Sequence, residues 1–305
     1  TNGLAIAGND NPVTGATEIW TGAGAPVGAW STVNSMNTAR AGAGAGIYTA
    51  ALAFGGSDGS GEVGNTESYD GTNWTELNDM NTGRALLAGI GTSTSALAFG
   101  GNPLPNGAKT ELWNGTNWTE VNDLGTARYG VAGAGADNTA ALAFGGSDAG
   151  PNLAKTETWN GTNWTEVNDL NTARQYLAGA GASNTSALAF GGYVPPANKN
   201  ETETWNGTNW TEVNNLNTAR RSLGGLGTQS AAFAIGGYST TQVGNTEDWN
   251  GASWVEVADL NTARSSSMAG GTTTNGLAFG GETPPVTAST EEWNTTSNVV
   301  KTLTD

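Results

Sequence analysis

The stretch Thr156-Glu157-Thr158-Trp159-Asn160-Gly161-Thr162-Asn163-Trp164 recurs along this 305-residue chain. Most copies are followed by segments that correspond to Asn171-Thr172-Ala173-Arg174 and then to Ala187-Leu188-Ala189-Phe190-Gly191-Gly192. One arginine marks the phase of each copy. These arginines are Arg40, Arg84, Arg128, Arg174, Arg220 and Arg264, and they are spaced 44 to 46 residues apart. A period in the forties predicts a propeller or a solenoid of repeats.

Four short segments in each unit have the character of β-strands. Residues 177–182 are small, and residues 187–190 form an apolar run that ends at Gly-Gly. Residues 156–159 and 164–167 carry Thr, Val and Trp, which favour strands. Because no segment shows the sustained apolar period of a helix, the sequence predicts an all-β repeat.

Asn-Gly pairs separate the two Trp-bearing segments of most units. Such pairs readily adopt the positive φ angles of a tight hairpin, so we expect the two segments to be antiparallel neighbours. The pairs are Asn114-Gly115, Asn160-Gly161, Asn206-Gly207 and Asn250-Gly251, with Asp70-Gly71 as a variant.

Each unit resembles the kelch repeat. It has an apolar strand that ends in Gly-Gly, then a variable stretch, an aromatic residue and a Trp. The resemblance covers nearly the whole chain. The Gly-Gly pairs lie at positions 55–56, 100–101, 145–146, 191–192, 236–237 and 280–281, with Ala7-Gly8 as a degenerate first copy. The resemblance implies a β-propeller of four-stranded blades around a channel.

The segment after each arginine supports a propeller on physical grounds. Residues 41–46 and 177–182 are almost all Gly and Ala, which have low strand propensity. Small residues suit the crowded centre of a ring, so we expect these segments to form the innermost strands. The Phe- and Trp-bearing strands should then fill the space between blades.

Seven units containing Thr-Glu predict a single seven-bladed propeller over residues 1–305. The predicted blades are about 1–40, 41–84, 85–128, 129–174, 175–220, 221–264 and 265–305. The first should lack its inner strand, since residues 1–5 copy residues 274–278, where the second strand of a blade begins. We therefore expect this chain to be the C-terminal part of a longer or processed protein.

The composition excludes several chemistries. The chain has no Cys and no His, so thiolate metal sites, Ser-His-Asp triads and His-bound copper centres cannot form. A formal charge of −16 argues against nucleic acid as a partner. The sequence contains no apolar segment for membrane insertion. The oxygen-rich residues 168–171 are expected to cap a turn and not to bind calcium, and no metal or cofactor is predicted.

The repeated Glu and Arg allow two interpretations. Each Arg could bond a Glu or backbone carbonyls within the ring, or the arginines could surround a channel mouth and bind an anion. Because nearly every Glu is itself a repeat position, a unique catalytic carboxylate pair is not expected. The sequence therefore predicts a protein that is not an enzyme, with a carbohydrate-active propeller enzyme as an alternative.

The repeats differ most after Gly-Gly and directly after the arginine. In four-stranded blades these two regions emerge on one face, and in peptide-binding kelch domains they line the pocket. The resemblance therefore implies a ligand-binding surface there. The predicted ligand-binding residues are Tyr129, Gln175, Tyr176, Tyr193, Arg221 and Tyr238.

The near-verbatim repeats and the Gly/Ala/Asn/Thr-rich composition also resemble kelch-like segments in virion fibre or appendage proteins of marine bacteriophages. This resemblance implies a binding or display module on a virion or cell surface that recognises a glycan or protein on a host. Other virion or assembly chains are further expected partners. A purely structural assembly component is the remaining alternative.

Overall fold

The computed structural model describes residues 28–295, which form a ring of six four-stranded antiparallel blades. The prediction of a propeller with four-stranded blades is confirmed, and the prediction of seven blades is wrong. The single helical element in this range is a 3₁₀ turn, Leu104–Asn106. No helix among these residues is long and apolar enough to cross a membrane.

The blades are numbered in chain order, and their strands are given from the channel outwards. Blade 1 contains β2 (Ala41–Ile47), β3 (Ala50–Ser57), β4 (Thr66–Tyr69) and β5 (Trp74–Glu76). Blade 2 contains β6 (Ala88–Thr92), β7 (Ser95–Phe99), β8 (Thr110–Trp113) and β9 (Trp118–Val121). Blade 3 contains β10 (Ala132–Asp137), β11 (Ala140–Phe144), β12 (Thr156–Trp159) and β13 (Trp164–Val167).

Blade 4 carries an additional hairpin, β16 (Tyr193–Val194) and β17 (Ala197–Asn198), after its second strand. The blade itself contains β14 (Ala178–Ser183), β15 (Ser186–Phe190), β18 (Thr202–Trp205) and β19 (Trp210–Val213). Blade 5 contains β20 (Gly224–Thr228), β21 (Ala231–Ile235), β22 (Thr246–Trp249) and β23 (Trp254–Val257). Blade 6 contains β24 (Met268–Gly271), β25 (Asn275–Phe279), β26 (Thr290–Asn294) and β1 (Ala29–Val33).

The Gly- and Ala-rich strands are the innermost ones, as the sequence predicts. At Gly179, an added Cβ atom would lie 2.5 Å from the carbonyl oxygen of Gly133 in the neighbouring blade. Adjacent inner strands therefore approach too closely at this position for any side chain. After its partly buried first residue, the next strand of each blade runs through the core, where Leu188 and Phe190 of blade 4 have no exposed surface.

Aromatic side chains fill the space between blades. In blade 4, the Trp210 ring packs 4.9 Å from Phe144 of blade 3, and its Nε1 donates to Thr156 Oγ1 at 3.0 Å. The same Trp-to-Thr hydrogen bond occurs at all six blade junctions. The pairs are Trp30 with Thr246, Trp74 with Thr290, Trp118 with Thr66, Trp164 with Thr110, Trp210 with Thr156, and Trp254 with Thr202.

The ring closes by joining the two ends of the described chain in blade 6. Strand β1 pairs antiparallel with β26, with Trp30 opposite Trp293. The Gly281 N–H also donates to the Arg40 carbonyl, the same link that the second glycine of each Gly-Gly makes to the next arginine. Residues 29–33 thus complete the last blade and do not belong to a separate first blade. The remainder of the predicted first blade, residues 1–27, lies outside the described residues.

A disulfide can test this closure, because the protein has no cysteine of its own. Ser31 and Glu292 are register partners across β1 and β26, where Cβ atoms lie about 4.5–5.5 Å apart. We expect S31C/E292C to form an intramolecular disulfide, detected by mass spectrometry and by a higher melting temperature than the reduced form. The control S31C/S68C places the second cysteine in blade 1 and should not crosslink; crosslinking of the control alone would contradict the six-bladed closure.

Candidate recognition surface

The two variable regions of the repeat meet on one side of the ring, which we call the loop face. In each blade, the residue after the arginine forms a β-bridge or strand pair with a residue directly after Gly-Gly. These pairs are Ala41 with Ser57, Ala85 with Asn102, Tyr129 with Ser147, Gln175 with Tyr193, Arg221 with Tyr238, and Ser265 with Glu282. All six predicted binding residues therefore lie on the loop face.

Arg221 is held between two tyrosines from adjacent blades. Its guanidinium carbon lies 4.5 Å from the ring centroid of Tyr193 and 4.6 Å from that of Tyr238. All three side chains are half-buried, so parts of them remain in contact with solvent. The cation–π contacts hold the planar guanidinium in one orientation on the surface.

Asn198 also positions Arg221, and the sequence analysis did not identify it. It lies in β17 opposite Tyr193, and its Oδ1 accepts a hydrogen bond from Arg221 Nη1 at 3.0 Å. Its Nδ2 donates to the carbonyl of Tyr238 at 3.1 Å, which ties the blade 4 hairpin to blade 5. The only sequence signal was its place five residues after Tyr193 in the variable stretch of its repeat.

Tyr129 and Tyr176 form a second cluster nearer the channel, with ring centroids 6.2 Å apart. The Tyr176 ring lies against Gly130, where an added Cβ would be 3.0 Å from its Cδ1 atom. Tyr176 has a positive φ of 56°, which is uncommon for a residue with a side chain. Its N–H donates to the Gly130 carbonyl at 2.9 Å and Ser222 donates in turn to the Tyr176 carbonyl, so backbone hydrogen bonds between blades hold this conformation.

Burial raises the pKa of Tyr176, and the neighbouring Tyr129 adds to this effect. The charge of Arg221 acts in the opposite direction. The phenol therefore stays protonated at neutral pH and can donate a hydrogen bond to a ligand.

Gln175 is nearly buried, with 9% of its surface exposed, and it lies beside Tyr193 on the loop face. Its side-chain oxygen is buried and has no hydrogen-bond partner among the described residues. An unpaired buried acceptor of this kind costs about 1–3 kcal/mol. Gln175 therefore lies on the loop face with little of its surface available to a ligand.

Arg221 differs electrostatically from every other described cation. Nine of the ten Lys and Arg side chains within residues 28–295 form ion pairs with glutamates. Arg221 is the one without a carboxylate partner in that range. In a chain with a net charge of −16, this makes it the single unneutralised positive group of the described ring.

The six repeat arginines do not form an accessible ring. Each is fully buried and pairs with the glutamate of the third strand in the blade that follows it, as Arg220 does with Glu247 at 3.0 Å. Burial lowers the pKa of Arg220, and the charge of Glu247 opposes that shift. The same glutamate accepts the backbone N–H of Asn217 at 2.7 Å. The structure thus favours the interpretation of these arginines as internal ties.

The oxygen-rich residues 168–171 have structural contacts. Asp169 Oδ1 accepts the N–H of Thr156 at 3.0 Å, and Asn171 donates to Glu203 at 2.7 Å. Asn168 Nδ2 reaches Asn209 Oδ1 in the next blade at 2.8 Å. Between residues 28 and 295, no group of three His, Cys, Asp or Glu side chains is arranged as a metal site.

The channel mouth on the loop face is a shallow cavity of about 120 Å³, lined by residues such as Leu86, Tyr176, Ser222 and Ser266. A larger cavity of about 400 Å³ opens between the inner strands and is lined mainly by Gly and Ala. Large side chains able to contact a ligand are therefore found at the mouth, where Tyr176 lies, and at the Arg221 cluster.

The chain was also compared with known proteins. The sequence matches no protein-family profile and no curated protein.

Proposed function

We propose that this protein is a non-enzymatic recognition module, a kelch-type propeller that binds a glycan or protein ligand through its loop face. The observation that carries the proposal is Arg221, which is held between Tyr193 and Tyr238 and has no ion-pair partner among the described residues. Tyrosine and arginine are the side chains that most often dominate binding energy when they are oriented in advance.

Several contacts support binding over catalysis. The repeat glutamates, such as Glu203 and Glu247, are buried in ion pairs and also accept backbone hydrogen bonds. They are therefore committed to the fold and cannot serve as a glycosidase pair, which needs two accessible carboxyl groups about 5–9.5 Å apart. The clusters on the loop face differ from blade to blade, as expected for a surface that recognises one ligand.

The composition and the style of the repeats are the basis for placing this module on a virion, as a fibre, appendage or decoration, or on a cell surface. In that setting, the ligand would belong to a host surface, and other virion chains would be further partners. No nucleic-acid or membrane partner is proposed, since the charge of −16 opposes both.

A quadruple variant with alanine at Tyr176, Tyr193, Arg221 and Tyr238 should lose binding to its glycan or protein ligand and keep the ring folded. Each truncation removes an anchor that can contribute about 1–4 kcal/mol to binding. Binding would be measured on a glycan array and on host cells, and folding by thermal unfolding of the same protein. The control is T119A/T165A/T211A, on exposed outer strands. If this control loses binding and the loop-face variant does not, the protein acts through its rim, as a structural component would.

A further inference from the structure

We propose that the Arg221 cluster is a binding site for the carboxylate of an acidic saccharide. This inference rests on the proposed recognition function and names the chemistry of its ligand. The cluster consists of Arg221, Tyr193, Tyr238 and Asn198.

The surroundings of the Arg221 guanidinium orient it and leave it able to bind an anion. The rings of Tyr193 and Tyr238 lie 4.5 and 4.6 Å from its central carbon, and one terminal nitrogen, Nη1, donates to Asn198 Oδ1 at 3.0 Å. No glutamate or aspartate among the described residues pairs with the group, so its remaining N–H donors are available to a ligand. A guanidinium edge presents parallel N–H donors that match the two oxygens of a carboxylate.

The surroundings favour a saccharide over a protein partner. Among the described residues, Leu86 is the only large apolar side chain exposed on the loop face. Protein interfaces need several apolar or aromatic anchors that become fully buried in the complex. The apolar residues Leu87, Val131, Leu177 and Leu223 that line the mouth are buried, so its accessible side chains are Leu86, Tyr176, Ser222 and Ser266. The aromatic residues of the clusters are half-buried tyrosines with polar tips. Such rings can contact the C–H face of a sugar while their hydroxyl groups bond its oxygens.

The net charge restricts the ligand further. A chain of charge −16 repels a densely charged polyanion, and the described ring has one unneutralised cation to oppose that repulsion. The cluster is therefore suited to one carboxylate at a time, as on a uronic or nonulosonic acid residue. A heavily sulfated polymer does not fit this arrangement.

Matched saccharides can test the assignment by calorimetry on the full chain. The probes are trigalacturonate, 3′-sialyllactose and the methyl ester of each, which keeps the sugar and removes the charge. We expect at least one acid to bind about 10- to 100-fold more tightly than its ester, the range for a charge-assisted hydrogen bond. R221Q should remove that difference, and R221K should restore only part of it because an ammonium group lacks the planar fork. K109Q removes one positive charge from a rim ion pair and should leave the preference intact.

Three results would overturn the proposal. Equal binding of acid and ester by the wild type, an acid preference that survives in R221Q, or no binding of either acid would each exclude a carboxylate at Arg221. Binding of a Glu-containing peptide and of neither saccharide would show that the ligand is a protein. If acid and ester bind equally, or if R221Q keeps the acid preference, the loop face can still be the recognition surface. Loss of saccharide binding by the quadruple alanine variant would show this, so the two proposals fail separately.

Discussion

The variant R220M is expected to lose about 3–5 kcal/mol of folding free energy, because it leaves the buried Glu247 carboxylate without its counter-charge. Arg220 is fully buried, and its Nη1 atom also donates to the carbonyl oxygens of Gly236 at 2.7 Å and Asn245 at 2.6 Å. Methionine fills a similar volume and donates no hydrogen bond. Denaturant unfolding of the full chain would measure the loss.

Two further variants complete this experiment. R220M/E247M removes both charges and should be more stable than R220M, because no uncompensated carboxylate remains. K155M breaks the exposed pair between Lys155 and Glu166 and should change stability by less than about 1 kcal/mol. A loss in R220M no greater than in K155M would show that the repeat arginines do not tie the blades internally.

Truncating Trp210 to alanine should destabilise the ring by about 3–5 kcal/mol, the usual cost of removing a buried aromatic side chain. The indole is 6% exposed and packs across the junction with blade 3, against Phe144 and Thr156. W210F should recover most of the packing but lose the hydrogen bond to Thr156, a loss of about 1 kcal/mol.

Trp164 occupies the same repeat position as Trp210 and provides a matched comparison. It makes the corresponding contacts with Phe99 and Thr110 but is only partly buried. W164A should therefore cost less than W210A, as measured by the same denaturant titration. If W164A left stability unchanged and abolished saccharide binding, the indole would be a ligand platform and not a packing residue.

The number of blades could have been read from the arginines. Each repeat arginine pairs with one Glu through its side chain, and its backbone carbonyl accepts one N–H from a Gly-Gly pair. Six repeat arginines therefore correspond to six complete blade junctions. The sequence analysis counted Thr-Glu units instead, and Glu18 belongs to the segment outside the described residues. That count gave no indication that residues 29–33 join a strand more than 250 positions away.

The loop face was predicted because strand order determines which loops emerge together. The contact of Arg221 with Tyr193 and Tyr238 could not be predicted, since it depends on how two adjacent blades are rotated about the axis. Asn198 was missed for a related reason. A Val-Pro-Pro-Ala turn brings it back beneath Arg221, and turn geometry of this kind varies between repeats.

The pairing of β1 with β26 also determines where the ring can be tethered. Ala29 lies opposite Asn294, so the chain enters and leaves the described ring side by side, on the side opposite the loop face. A support attached through either end would therefore present the tyrosine clusters outwards. The geometry also has a mechanical consequence, because pulling the two ends apart would open the β1 ladder one hydrogen bond at a time. Anchoring through one end only would avoid that unzipping load.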